Sequence, residues 1–233
     1  MKRTAVLVIL LIPFFNVMAQ AVTGKIIFNE NRTLLISSLQ DAVGKRYSLK
    51  AISPLFSILV DGEKIASEVP FNASGDSMTT EIIPGLKAEV KALATGGPAT
   101  EYLVRFRNVS QKEVMIENVV PFGESGNHPY ITAAGTKDWP QYLCRSRIFR
   151  PGYAPVGVVL PDNAWHLGWS DIETNEGKNI SALARRGKRE NCDIDRWAAT
   201  IKPGGWIEYT FRFEMHEGDW HRGLEVMFRD RWL

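Results

Sequence analysis

Leu86-Lys87-Ala88-Glu89-Val90-Lys91-Ala92-Leu93 alternates apolar and charged residues along its length. Leu86, Ala88, Val90 and Ala92 share one side and Lys87, Glu89 and Lys91 the other, the period-two pattern of a half-buried antiparallel strand. Similar runs surround it: Thr33–Ser37, Lys45–Ile52, Phe56–Val60 and Tyr102–Val109. Asp61-Gly62 between such runs is a hairpin signal. Gly96-Gly97-Pro98 and Gly123-Glu124-Ser125-Gly126-Asn127 mark further breaks. Gly205 to Met215 reads as one long strand. Many short strands, polar turns and hardly any amphipathic helix predict an all-β fold, an antiparallel β-sandwich.

One helix is expected, leading out of the sandwich. Asp219 is a good N-cap, and Trp220, Leu224, Met227, Phe228 and Trp232 follow at helical spacings. No Gly, Asn or Pro closes that helix before Trp232-Leu233. Residues 219–233 therefore read as the start of a linker helix to a further, catalytic domain, with the sandwich over 20–218. No linker-like tract or internal repeat divides that span.

At the other end, Lys2-Arg3 precedes an apolar run from Ala5 to Phe15 and then Val17-Met18-Ala19. A charged start, a short apolar stretch and a small residue at the cut predict a signal peptide over 1–19, and a periplasmic or secreted protein. The run is too short to span a bilayer, so no membrane insertion is expected. Lys2 and Arg3 are the only charged residues of that leader. The 28 basic residues of the chain thus fall to 26, equal to its 26 acidic ones. A neutral mature chain argues against nucleic acid as partner. The basic cluster Arg185-Arg186-Gly187-Lys188-Arg189 reads as the tip of an exposed hairpin rather than a polyanion site.

Cys144 and Cys192 form an even pair in an exported chain, which points to a disulfide, with two separate buried thiols as the alternative. Such a bridge would contribute roughly 4 kcal/mol in the chain-entropy model. No phosphate loop, dinucleotide turn or nucleophile elbow is present, and no cofactor is expected. His216-Glu217 with His221 resembles a zinc helix motif, yet histidines five apart lie about 140° around a helix and Gly218 interrupts the segment. His128, His166, His216 and His221 with the two cysteines lack metal-ligand spacing. Asp193 and Asp195 alternate along an expected strand, which puts both carboxyls on one face about 6.6 Å apart. Such a pair can serve glycoside hydrolysis or bind calcium, but two acids on an exposed strand face are commoner.

The aromatic segment from Trp139 to Trp169 is more informative. Trp139, Tyr142, Tyr153, Trp165, His166 and Trp169 occur there among Pro140, Pro151, Pro155 and Pro161. Flat aromatic faces cover sugar C–H surfaces while neighbouring polar groups take hydroxyls. Trp139, Trp165 and Trp169 are candidate stacking platforms and His166 a candidate hydroxyl partner. The competing reading is that these side chains plug the end of the sandwich or pack against the further domain. Asn-x-Ser/Thr sequons stand at Asn31, Asn72, Asn108 and Asn179.

Three segments together carry a family resemblance: Ile116-Glu117-Asn118-Val119-Val120-Pro121-Phe122-Gly123, Leu160-Pro161-Asp162-Asn163 to Gly168, and Gly218-Asp219-Trp220-His221-Arg222-Gly223-Leu224. They resemble the N-terminal β-sandwich of secreted bacterial glycoside hydrolases related to the α-galactosidase group. The resemblance implies a supersandwich-like domain joined by a Gly-Asp-Trp helix to a (β/α)₈ barrel. It implies catalytic aspartates on barrel strands that these residues do not include, so no catalytic residue is carried over. The expected role is an accessory sandwich packed on a glycosidase barrel, with a carbohydrate ligand. A free-standing carbohydrate-binding module and a cell-surface structural sandwich are the alternatives.

Overall fold

The computed structural model describes residues 24–93, 99–123, 131–132, 147–149, 156–160, 167–195 and 198–229. In chain order the strands are β1 Lys25–Phe28, β2 Leu35–Gln40, β3 Arg46–Pro54, β4 Phe56–Val60, β5 Glu63–Ala66, β6 Asn72–Ser74, β7 Ser77–Ile83 and β8 Leu86–Leu93. They continue with β9 Thr100–Asn108, β10 Val114–Pro121, β11 Ile131–Thr132, β12 Arg147–Phe149, β13 Val156–Leu160, β14 Leu167–Glu173, β15 Asn179–Ile194 and β16 Ala198–His216. The helix α1 covers Trp220–Arg229. The expected strand runs all lie within or beside these elements, and the fold is an antiparallel all-β sandwich with one short C-terminal helix.

β1, β2 and β3 form a small sheet of their own. The other strands make one large branched sheet, ordered β11-β12-β13-β14-β15-β16-β9-β8-β7-β6, with β10, β4 and β5 on the branch. The branch point is β16. One of its edges pairs with β15, while the other pairs with β10 over Ala198–Ile201 and with β9 over Trp206–Phe213. The partner changes at Lys202-Pro203-Gly204-Gly205. Gly204 has φ +75, and a Cβ on Gly205 would lie 2.3 Å from the Asn191 carbonyl oxygen, so the strand bends where only glycine fits.

That bend lays the branch over the main sheet. Phe56 of β4 meets Phe106 of β9 edge-on at 5.1 Å and Phe211 of β16 at 6.1 Å; Phe122, just past β10, meets Phe213 at 5.4 Å. These rings are fully or almost fully buried, and each contributes roughly 1.5–3 kcal/mol by leaving water. The Asp61-Gly62 signal is a true hairpin turn: both residues have positive φ, +48 and +87, as a type I′ turn joining β4 to β5 requires. The breaks at 96–98 and 124–127 lie outside the described residues.

The Arg185–Arg189 cluster is not a hairpin tip. It lies in the middle of β15, and the chain turns instead between Asp195 and Ala198, whose backbones bond each other in both directions. Gly187 has no positive φ, and a register shift between Arg186 and Arg189 absorbs it as a bulge. Two sequons prove to be internal struts. Asn108 is fully buried, and its amide donates to the carbonyls of Lys112 (2.7 Å) and Ile201 (2.8 Å). Asn179 is also buried, whereas Asn31 and Asn72 are exposed.

Candidate functional site

The sheet formed by β14, β15, β16 and β9 sorts its residues by strand alternation. One face carries Ile172, Ile180, Ala182, Phe211, Phe213 and Tyr102 into the sandwich core. The opposite face carries Trp169 and Asp171 from β14, Ser181 and Leu183 from β15, and Arg212, Glu214 and His216 from β16. An outward face would normally meet water, yet Asp171, Ser181, Glu214 and His216 are buried. The reason is α1, which lies across β14, β15 and β16.

Beneath the helix the polar groups converge on one carboxylate. Asp171 Oδ1 accepts the Asn179 side-chain amide at 2.6 Å, and its Oδ2 accepts both the Ser181 hydroxyl and His216 Nε2, the latter at 2.7 Å. The other ring nitrogen, His216 Nδ1, faces the Glu217 carbonyl oxygen at 3.2 Å. Both ring nitrogens therefore face acceptors, an arrangement that the doubly protonated imidazolium satisfies. Burial pulls the His216 pKa down, but the hydrogen bond and charge of Asp171 outweigh it, and the net effect raises it from the ordinary value of 6.5.

Ser, His and Asp are the residue types of a nucleophilic relay, but their connectivity here is different. In such a relay the hydroxyl donates to the imidazole and the carboxylate holds the far ring nitrogen. Here the Ser181 hydroxyl and His216 Nε2, 3.3 Å apart, both meet the carboxylate on the same oxygen, and a backbone carbonyl rather than the carboxylate occupies the far nitrogen. Access is closed as well. A Cβ on Gly223 of α1 would fall 2.1 Å from Asp171 Oδ2, 2.2 Å from Ser181 Oγ and 2.9 Å from His216 Nε2. The helix backbone itself sits on the cluster, and only glycine allows that approach. The arrangement fastens the helix to the sheet.

The start of α1 follows the sequence reading. Asp219 Oδ1 accepts the His221 backbone N–H at 3.1 Å, as an N-cap does. The hydrogen bond with the His221 side chain holds the Asp219 carboxyl below its ordinary range. The side chains of Leu224, Met227 and Phe228 are not among those described, and Trp232 lies outside the described residues.

Farther along the same face the charges pair with one another. Arg212 reaches Glu214 at 3.1 Å and Glu101 at 3.5 Å; Arg105 Nε reaches Glu208 at 3.0 Å and its guanidinium covers the Trp206 ring at 4.4 Å. Glu89 bridges Arg105 and Arg107, and Trp206 donates to Glu190 at 2.9 Å. These are satisfied rungs of a sheet surface with mixed sign.

Of the residues singled out from sequence, Trp139, Trp165, His166 and Cys144 lie outside the described residues. Trp169 is 1% exposed, so its ring faces are covered, and its indole N–H has no hydrogen-bond partner among the described residues. Cys192 carries a free thiol on β15, and burial pushes its pKa up to about 11. Asp193 is exposed and paired with Lys202 at 2.8 Å, while Asp195 falls past the end of β15, so strand alternation does not present the two carboxyls together. His216 and His221 diverge, one buried on β16 and one exposed on α1. No group of three or more metal-ligating side chains occurs among the described residues, and no helix there is long and apolar enough to cross a membrane.

Sequence reasoning missed Asp171, Ser181 and Gly223. The separations between Asp171, Ser181 and His216 follow strand register rather than any motif, and a sequence contains no register. The available signal was Gly223, a helix-weakening residue inside a predicted helix, which calls for a close contact.

No family model matches the chain, and no curated protein does either. Among solved structures it is similar to one named as a polysaccharide lyase, with 15% identity and a TM-score of 0.44. The match covers 87% of this chain and 34% of that one, so the chain spans about a third of the structure it matches. Likeness at that level carries no argument about function, and the fold stands on its own strand pairing.

Proposed function

We propose that this chain is the accessory β-sandwich of an exported carbohydrate-active enzyme, N-terminal to a glycoside-hydrolase barrel and joined to it through α1. The observation that supports this reading is the joint. The helix of the Gly-Asp-Trp segment is seated by its own backbone on a buried polar cluster of the sheet, with Gly223 in contact with Asp171, Ser181 and His216. A helix held in that way transmits a fixed geometry to whatever follows it. The cluster that fixes it is closed to substrate, which suits a scaffold better than a catalyst. The relation to the α-galactosidase group rests on three short motifs, and the leader over 1–19 supports export.

Two measurements test the reading. Sequencing the gene beyond Leu233 is expected to reveal alternating strand and helix patterns of a barrel, and a stop codon without them refutes it. The full chain is also expected to be retarded in affinity electrophoresis on polysaccharide gels, with Trp165→Ala reducing retention about tenfold, the loss of one stacking face. Equal retention by both proteins removes Trp165 from the sugar site. N-terminal sequencing of exported protein should begin at Gln20.

A further inference from the structure

We propose that the outer face of the β1–β2–β3 sheet docks an acidic polysaccharide, with Arg46 and Lys25 as the receptors of its carboxylates. The inference rests on reading the chain as part of a carbohydrate-active enzyme, and adds to it a class of glycan and a place of contact. Charge is unevenly spread along the chain. Residues 24–54 hold Lys25, Arg32, Lys45, Arg46 and Lys50 against only Glu30 and Asp41, although residues 20–233 balance.

Strand register gathers this excess. Lys25 of β1 stands opposite Gln40 of β2, and Gln40 opposite Arg46 of β3, so the three share one rank and one face. The next rank, Ile26, Leu39 and Tyr47, is buried, which turns the first rank outward and leaves Lys25 and Arg46 exposed. The two cations stand two strands apart, about 10 Å. Beside them on the same face lie Ile27, half-buried, and Ser38 and Ser48.

Arg46 is aimed rather than neutralised. Its Nε donates to the Ser38 hydroxyl at 2.6 Å, and Nη2 reaches the Ser37 hydroxyl at 3.4 Å. Hydroxyls fix the plane of the guanidinium without cancelling its charge, and its other N–H groups remain for a carboxylate in the fork geometry that arginine favours. Among the described residues no ion pair involves Lys25, Lys45 or Arg46. Asp41, beside Gln40 in the chain, serves the turn: its Oδ1 accepts the backbone N–H groups of Val43 and Lys45. Lys50 is paired with Glu173 and stands outside the set. A small anion would meet one of the two cations. A linear polymer with carboxylates along its length meets both, and lays a sugar ring over Ile27 between them.

Affinity electrophoresis of the full chain at pH 7, in gels cast with polygalacturonate or alginate and with methyl-esterified polygalacturonate, tests this. Retention is expected on the acids and not on the ester, and it should weaken as salt rises from about 0.05 to 0.3 M. Lys25→Gln combined with Arg46→Gln should weaken retention about tenfold, relative to mobility in polymer-free gels. Lys87→Gln combined with Lys91→Gln removes the same charge from exposed positions on β8, and should leave retention within about twofold. Equal losses in the two double variants would reduce the effect to net charge and overturn the site, as would equal retention on acid and ester. Retention on a neutral polysaccharide with none on either acid overturns this inference and leaves the accessory-sandwich reading standing. Binding to phosphatidylglycerol vesicles that depends on Lys25 and Arg46, without retention on the acids, assigns the face to a membrane and overturns it too.

Discussion

Gly168→Ala is expected to destabilise the sandwich by about 3 kcal/mol, at the upper end of ordinary overpacking. Gly168 lies on the core face of β14, where β10 crosses it. A Cβ there would stand 2.1 Å from the Val119 carbonyl oxygen and 3.2 Å from both the Val119 carbonyl carbon and Pro121 Cδ. These are backbone and ring atoms, which cannot rotate away as a side chain would. Relief requires β10 to move off β14. That movement strains the bond from the Ser170 hydroxyl to the Pro121 carbonyl, 2.7 Å long and fully buried. It also disturbs Val119 and Val120, both in the core. Thermal unfolding followed by circular dichroism should show a fall in Tm of roughly 6–12 °C for a domain of this size. Gly75→Ala provides the comparison. Gly75 has φ +58 with nothing within 4 Å of its would-be Cβ, so only backbone strain of about 1 kcal/mol applies. Equal Tm changes in the two variants would show that β10 and β14 are not in this contact.

The second large effect belongs to Asp171. Removing its carboxylate in Asp171→Ala leaves the His216 imidazolium buried without a counter-charge and strips the Asn179 and Ser181 donors of their acceptor. Breaking a buried ion pair from one side costs about 3–5 kcal/mol. Urea unfolding at pH 6 should show that loss as a lower midpoint. Asp171→Asn retains an acceptor oxygen and the volume, so it should recover part of the hydrogen bonding but none of the charge. A loss below about 1 kcal/mol in Asp171→Ala would mean that water reaches the cluster and that α1 does not close it. This variant also separates two roles of α1. If its loss is accompanied by increased exchange in 220–229 alone, the carboxylate acts through the helix; if the whole sheet loosens, it acts through β14 and β15.

The alternation of residues 86–93 and the matching runs around it determined that this chain is built of antiparallel strands, because a half-buried strand sorts side chains with period two whatever its neighbours are. Asp61-Gly62 and the Asp219 cap were equally legible, since a type I′ turn and a helix start depend on residues adjacent in sequence. The basic stretch at 185–189 was misread for the same reason. A glycine among charges is a turn signal locally, but pairing with β16 on both sides of the glycine keeps β15 extended, and a bulge accommodates it. Only the tertiary structure decided that β16 serves two layers, that Asn108 and Asn179 are internal struts, and that Asp171, Ser181, His216 and Gly223 meet. These contacts join residues tens of positions apart through strand register and a helix laid back on the sheet, and local preference holds no record of either.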